Sequence, residues 1–411
     1  MSALSEAAAT SSIAPVGAWR VRLTLALCFA AALTEGYDIT SMGVAAPHLG
    51  PALHLARAQL GPVFSASIVG LFIGALAVGR LADRVGRKWT LVGSMAVFGV
   101  FSAATVLATG FDDLIAIRLA AGLGLGGAMP NMIALASEVS SERRRTMVTT
   151  IVSAGMPFGG MLSSAVAAGL DWRWIFYLGG AAPLLLGGVM ALALDESPHF
   201  KAVRSMAASG ASRRSGFLWA LTGEGRTLST LCLWVSTFCA LMALYTLLNW
   251  LPILLGEKGV SKHDASIVAL LFNLGGGLAV IALAVLIERA RRRVVVVAWY
   301  ASLIVSLILL ALVGPELVAA SFIAFFAGGF SSSVAILLYG LAPNYYPTAI
   351  RATGVGATVA VGRLGAVVGP LFAAWLLSSG VAQDGVLLAL APMAVLAGAA
   401  CVALLGRPTA I

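Results

Sequence analysis

The chain has 411 residues, 60% of them hydrophobic and only 10% charged, against about 25% charged in ordinary soluble proteins. With a mean hydropathy of +0.98 it cannot clothe a water-facing surface, which excludes a soluble enzyme, a disordered chain and a nucleic-acid binder. It is expected to be an integral membrane protein, and its formal net charge of +9 then asks on which side of the membrane the cations lie.

A bilayer core of about 30 Å takes about 20 apolar residues to cross as helix. Such runs stand near 22–47, 58–82, 88–110, 112–138, 145–169 and 172–194. Six more stand near 227–255, 264–288, 293–313, 315–342, 350–378 and 385–405. The pattern predicts an all-α protein with twelve transmembrane helices in two groups of six. Residues 1–20 carry only Glu6 and Arg20 as charges and lack a signal-peptide pattern, so no cleavage is expected. The polar stretch 195–226 holds Lys201, Arg204, Arg213, Arg214 and Arg226. It reads as a cytoplasmic linker between an N-terminal bundle over 1–194 and a C-terminal bundle over 227–411.

With the N-terminus inside, 20 of the 26 Lys and Arg residues fall inside, 4 outside and 2 within spans. That asymmetry places both termini in the cytoplasm and explains the basic charge with no nucleic-acid partner. Cys28, Cys232, Cys239 and Cys401 sit in apolar runs without metal-ligand spacing. Neither a disulfide framework nor a metal site is expected. His48, His54, His199 and His263 fall at helix ends or in loops, where surface placement is expected.

Charges within spans carry most of the functional information. Each costs about 2.5–3.5 kcal/mol at the bilayer centre, so it must face a partner or a wet cavity. Four qualify: Glu35, Asp38, Arg118 and Arg363. Glu35 and Asp38 are three apart and share a helix face. Arg118 lies ~9 Å from the outer end of its helix, and Arg363 ~18 Å up from the inner end of its own. Arg118 has Glu35 or Asp38 as a plausible structural partner. Arg363 has no acid on its own helix between Arg351 and Ser378, and its depth suits an anion receptor.

The loop between spans 2 and 3 reads Gly79-Arg80-Leu81-Ala82-Asp83-Arg84-Val85-Gly86-Arg87-Lys88. Gly79 and Gly86 fit a sharp turn, and Asp83 sits among cations. This string resembles the loop 2–3 signature of the major facilitator superfamily, and the resemblance implies a gating role for Gly79, Asp83, Arg84, Gly86 and Arg87. Arg118 with Gly122, Gly124 and Gly126 resembles the family's helix 4 pattern. Tyr346-Pro347-Thr348-Ala349-Ile350-Arg351-Ala352-Thr353-Gly354 resembles its loop 10–11 segment. Gly155, Pro157, Gly159 and Gly160 partly resemble the helix 5 pattern of its antiporters, but the Gly-Pro dipeptide is missing. That weighs against efflux. The string Gly122-Leu123-Gly124-Leu125-Gly126-Gly127 also matches GxGxxG, yet a dinucleotide site needs a preceding strand. These glycines are read as helix-packing residues. Gly70/Gly74, Gly155/Gly159, Gly365/Gly369 and Gly275-Gly276-Gly277 fit close helix contact. The resemblance places them at the interface between halves.

Glu35-Gly36-Tyr37-Asp38, running on to Pro47, resembles the helix 1 signature of the aromatic acid:proton symporters, a branch of that superfamily. The initial Glu35, with Leu248-Asn249-Trp250-Leu251-Pro252 and Gly362-Arg363-Leu364-Gly365, is most similar to its carriers of 3-(3-hydroxyphenyl)propionate and related acids. The resemblance implies two six-helix bundles of inverted repeats around a midplane cavity. It further implies proton-coupled uptake of a benzoate-, hydroxybenzoate- or hydroxyphenylpropionate-like carboxylate across a bacterial inner membrane by alternating access. Arg363 would meet the substrate carboxylate. Glu35 and Asp38, with Arg118, would carry or relay protons, since buried carboxylates take up protons more readily. Tyr37, Asn249, Asn273 and Tyr339 would line the pocket. Tyr245, Phe158, Trp250, Phe272 and Trp375 are further aromatic candidates. A monomer with no cofactor is expected, protons being the coupling ion. A proton-driven exporter on the same fold is the rival, disfavoured for cationic drugs by a midplane Arg. No HExxH, GxSxG or His–Cys constellation supports an intramembrane enzyme, and no P-loop supports ATP as energy source.

Overall fold

The computed structural model describes residues 18–140, 145–194, 221, 223–289, 291–347 and 350–408. Among them lie twelve long helices and no strand. The first six are α1 (Ala18–Ala52), α2 (Arg57–Val85), α3 (Arg87–Ala104), α4 (Phe111–Glu138), α5 (Arg145–Gly169) and α6 (Arg173–Ala193). The second six are α7 (Thr227–Glu257), α8 (Lys262–Arg289), α9 (Arg292–Leu312), α10 (Leu317–Leu341), α11 (Arg351–Ser378) and α12 (Gln383–Leu404). Eleven of the twelve are long and apolar enough to cross a membrane. The twelfth, α1, has 35 residues but carries Glu35 and Asp38, which dilute its hydropathy. The spans agree with the sequence reading to within a few residues. The largest shifts are at α1, which runs through Pro47 and Pro51 instead of ending at 47, and at α3, which ends at Ala104 instead of 110. Most of the linker at 195–226 lies outside the described residues.

The helices form two six-helix bundles. In the first, α1 packs on α5, α2 on α4, and α3 on α4 and α6. In the second, α7 packs on α11 and α12, α8 on α10, and α9 on α12. Across the bundles α5 meets α8, α2 meets α11 and α1 meets α7. Glycines allow the tightest approaches. A Cβ on Gly122 would lie 2.1 Å from the Ser67 carbonyl oxygen, and one on Gly126 would lie 2.2 Å from that of Leu71. The GxGxxG string is therefore the seam between α4 and α2.

The other glycine pairs correct the expectation. Gly70 and Gly74 face Leu119 and Leu123 of α4, Gly155 and Gly159 face Phe29 and Leu33 of α1, and Gly365 and Gly369 face Phe238 and Met242 of α7. Gly275 faces Phe325 of α10. All pack inside one bundle. At the interface between bundles stand Gly277 against Phe158, as expected, and three glycines outside the expected set: Gly43 against Leu248, Gly61 against Ala374 and Gly160 against Asn273. Spacing identifies a face that admits a close neighbour but not which neighbour.

The turn between α2 and α3 is made at Gly86 alone, with φ 105°, a conformation that favours glycine. Gly79 is still inside α2, contrary to the two-glycine turn expected. Arg87 opens α3. The side chains of Asp83 and Arg84 lie outside the described residues. The loop 10–11 string has a packing explanation. Tyr346 is fully buried, a Cβ on Gly354 would lie 2.4 Å from its ring, and Arg351 Nε donates to its carbonyl oxygen at 3.3 Å.

Call the end bearing Ala18 and Leu404 the near end. The bundles meet at the opposite, far end. There Arg57 at the start of α2 pairs with Glu257 at the end of α7 at 3.0 Å. His263 on α8 approaches the Ala168 carbonyl of α5 at 2.8 Å. Deeper in, Ser65 donates to the Val367 carbonyl at 2.8 Å, and Phe64 meets Trp250 edge-on at 5.3 Å. Lys258, next to Glu257, donates to the Leu310, Ala311 and Val313 carbonyls at 3.2, 2.5 and 2.9 Å. It thereby satisfies the open C-terminal end of α9, where a cation is favoured. It also pairs with Asp384 at 2.8 Å.

Candidate functional site

The four charges foreseen within the spans are all buried at the centre of the fold: Glu35 and Asp38 at 0% exposure, Arg118 at 1% and Arg363 at 7%. They divide into two unlike pairs.

Asp38 is saturated. Arg118 grips both of its oxygens, Nη1 to Oδ1 at 3.0 Å and Nη2 to Oδ2 at 2.6 Å. Ser102 donates to Oδ1 at 3.0 Å, and Arg118 Nε donates to Ser67 at 2.9 Å. This ties α1, α2, α3 and α4 together at one point. The planar guanidinium fork suits a carboxylate held in this way. The sequence left open which acid Arg118 holds; it is Asp38. Ser67 and Ser102 gave no signal, because a hydroxyl in an apolar run more often bonds its own helix, as Ser41 does to the Asp38 carbonyl.

Glu35 is the opposite case. Neither of its carboxylate oxygens has a hydrogen-bond partner among the described residues. Arg363 lies near enough to act on its charge, yet the two form no ion pair within bonding distance. Arg363 instead donates from Nη1 to the Tyr245 hydroxyl at 3.0 Å, and its Nη2 lies 3.4 Å from the Met129 sulfur. Tyr339 stands beside them, its hydroxyl 3.2 Å from where a Gly362 Cβ would be, and that hydroxyl has no partner among the described residues. So Arg363, Tyr245, Tyr339 and Glu35, from four helices, converge with hydrogen-bonding capacity left over. A buried charge is normally paired; this cluster keeps hydrogen-bonding groups unspent among the described residues. Met129 had no sequence signal, since a thioether in an apolar run reads as core.

Of the expected pocket residues, Tyr37 stands apart from this cluster, whereas Asn249 and Asn273 lie where the bundles meet. Tyr37 packs against Gly179 of α6 and faces a crevice within the first bundle. Asn273 donates to its own Ala269 carbonyl at 2.9 Å and its side chain abuts Gly160 in the α5–α8 contact. Asn249 donates to the Tyr245 carbonyl at 2.8 Å. With Arg118, Ser67 and Tyr245 it lines a cavity of ≈ 10 Å³, the size of a single water. One cause serves for both asparagines: an amide bonding back to residue i−4 is spent on its own helix. Of the further aromatic candidates, Trp250 is fully buried and bonds the Pro370 carbonyl at 3.1 Å. Trp375 is 61% exposed and stacks on Phe372. No group of three or more potential metal-ligating side chains occurs among the described residues.

The family model described as Major Facilitator Superfamily matches residues 28–257 and 233–410. The chain belongs to this superfamily. It is 39% identical to the 3-(3-hydroxy-phenyl)propionate transporter of Escherichia coli (strain K12), over 95% of this chain and 96% of that one. It is 34% identical to a 4-hydroxybenzoate transporter of Pseudomonas putida, over 92% and 90%. Among solved structures it is similar to a D-xylose-proton symporter, with a TM-score of 0.74 at 16% identity over 91% of this chain and 95% of that one. The superfamily fold therefore holds over nearly the whole chain, which is a multi-pass membrane protein.

Proposed function

We propose that the chain is a secondary transporter that takes up a small aromatic carboxylate together with protons, by alternating access between its bundles. The observation that carries this reading is Arg363. It is a guanidinium buried at the centre of the fold, held by neutral groups and without a carboxylate in bonding distance among the described residues. Once Glu35 is protonated, a substrate carboxylate would supply the counter-charge, and Tyr339 a further donor. The relatives named for hydroxyphenylpropionate and hydroxybenzoate support the substrate class.

Coupling follows from the free acid. While Glu35 is ionised it is the countercharge for Arg363. When it takes a proton, the guanidinium is released to a substrate carboxylate. Proton and anion then enter together, and the buried charge is unchanged. Asp38 is fixed by Arg118 and Ser102, so the proton-carrying role proposed here passes to Glu35 alone. Arg118 and Asp38 become the framework that holds α1 in place. The Arg57–Glu257 contact is the far-end gate, and Asp83, Arg84, Gly86 and Arg87 belong to the near-end one. In this reading the chain lies in a bacterial inner membrane as two bundles over 1–194 and 227–411 joined by a linker, and the cation asymmetry supports cytoplasmic termini. It works as a monomer with no cofactor besides protons. The test is uptake of a labelled panel of aromatic acids into proteoliposomes, with and without an imposed pH gradient. Carboxylates should accumulate only with the gradient, and their amides should not accumulate.

A further inference from the structure

Inside the first bundle, α1, α5 and α6 enclose a crevice of ≈ 790 Å³. Its floor is the α1 stretch bearing Ala30, Leu33 and Tyr37, and Ala165 of α5 with Gly179 and Ala182 of α6 form its walls. These small wall residues leave the space unfilled. In the second bundle α12 lies on α7, with Ser236 donating to the Ala397 carbonyl at 2.8 Å.

Its chemistry is that of the bilayer interior. No charged side chain lines it, and its polar groups are the hydroxyls of Thr34 and Tyr37. Thr34 already donates to the Ala31 carbonyl at 2.8 Å. Leu162, Leu178 and Leu185 at the rim are 46%, 39% and 73% exposed. They lie on membrane-spanning helices, so the crevice is continuous with the lipid-facing surface. A headgroup would find no countercharge within it, whereas a hydrocarbon chain buries apolar surface against every wall.

We propose that this crevice holds an acyl chain of a bilayer lipid, seated on the turn of α1 that carries Glu35. The occupant bears on the helix that carries the coupling carboxylate, while the site itself is independent of the substrate assignment. The test is photolabelling of the full chain in nanodiscs made with a phosphatidylcholine bearing a diazirine midway along one acyl chain. Adducts are mapped by mass spectrometry. Adducts are expected on the floor between Ala30 and Tyr37 as well as on the rim. Ala182→Trp, which fills the space, should reduce the floor adducts about fivefold and leave the rim adducts unchanged. Ala165→Leu serves as a second filling variant should the first not fold. Adducts confined to the rim, or floor adducts undiminished in a folded filling variant, would overturn the proposal. So would displacement of the floor adducts by sodium benzoate, which would assign the crevice to a soluble aromatic acid meeting the free Tyr37 hydroxyl.

Discussion

Asp38 and Arg363 differ in what their loss leaves behind. Removing Asp38 strands Arg118 at 1% exposure, and breaking a buried pair costs about 3–5 kcal/mol. Asp38→Ala and Arg118→Ala should therefore both lower the melting temperature of the detergent-solubilised protein markedly. The double variant should recover part of the loss, because it leaves no lone charge. Melting at the parent temperature in either single variant would show that the pair is not structural. Arg363 has no carboxylate to strand within bonding distance, so its replacement should act on binding. Arg363→Lys keeps the charge but loses the fork and should bind an aromatic acid more weakly; Arg363→Ala should bind it least. Calorimetry with the acid and its amide decides: the acid should lose far more than the amide. Tyr339→Phe removes a hydroxyl with no partner to leave unsatisfied. It should leave the melting temperature within about 1 °C while weakening acid binding roughly tenfold, the worth of a hydrogen bond to a charged group. The sequence showed which four charges the membrane encloses, because such charges are rare and expensive there. It could not show that Arg118 chooses Asp38 over Glu35. Both acids lie on one face of α1, and the choice is made by Ser102 and Arg118 approaching from α3 and α4.

Helices were the most legible level. Length and apolarity place all twelve, and the sizeable shifts are at α1, where Pro47 and Pro51 are carried within the helix, and at α3, which stops at Ala104. Glycine spacing showed which helices pack closely but assigned the partners wrongly, as Gly70, Gly155 and Gly365 illustrate. A residue without a side chain records that something is near, and the identity of that neighbour is a tertiary fact. This yields a contrast within one fold. Gly159→Val must drive a side chain into the Leu33 carbonyl, 1.9 Å from its first carbon, whereas a Cβ on Gly93 meets nothing within 4 Å. Gly159→Val should express poorly or melt early, and Gly93→Ala should match the parent or exceed it, since alanine is the better helix former by about 1 kcal/mol. Equal melting temperatures would contradict the α1–α5 packing described.

Across the whole molecule, the two bundles are fastened at the far end by Arg57–Glu257 and His263–Ala168. Arg57 is 65% exposed, so the pair contributes about 0.2–1 kcal/mol, enough to shift a balanced two-state equilibrium severalfold. Glu257→Arg should raise the reactivity of a cysteine placed at the cavity from the far side, and Arg57→Glu added to it should lower it again. Unchanged reactivity in the single variant would remove the pair from the gate. Coupling through Glu35 rather than Asp38 is tested by comparing Glu35→Gln with the parent in proteoliposomes, following both proton-driven accumulation and substrate counterflow without a gradient. Glu35→Gln, neutral throughout, should lose accumulation and its response to pH yet keep counterflow, because Arg363 remains free for the carboxylate. Accumulation at the parent level in folded Glu35→Gln would contradict the account.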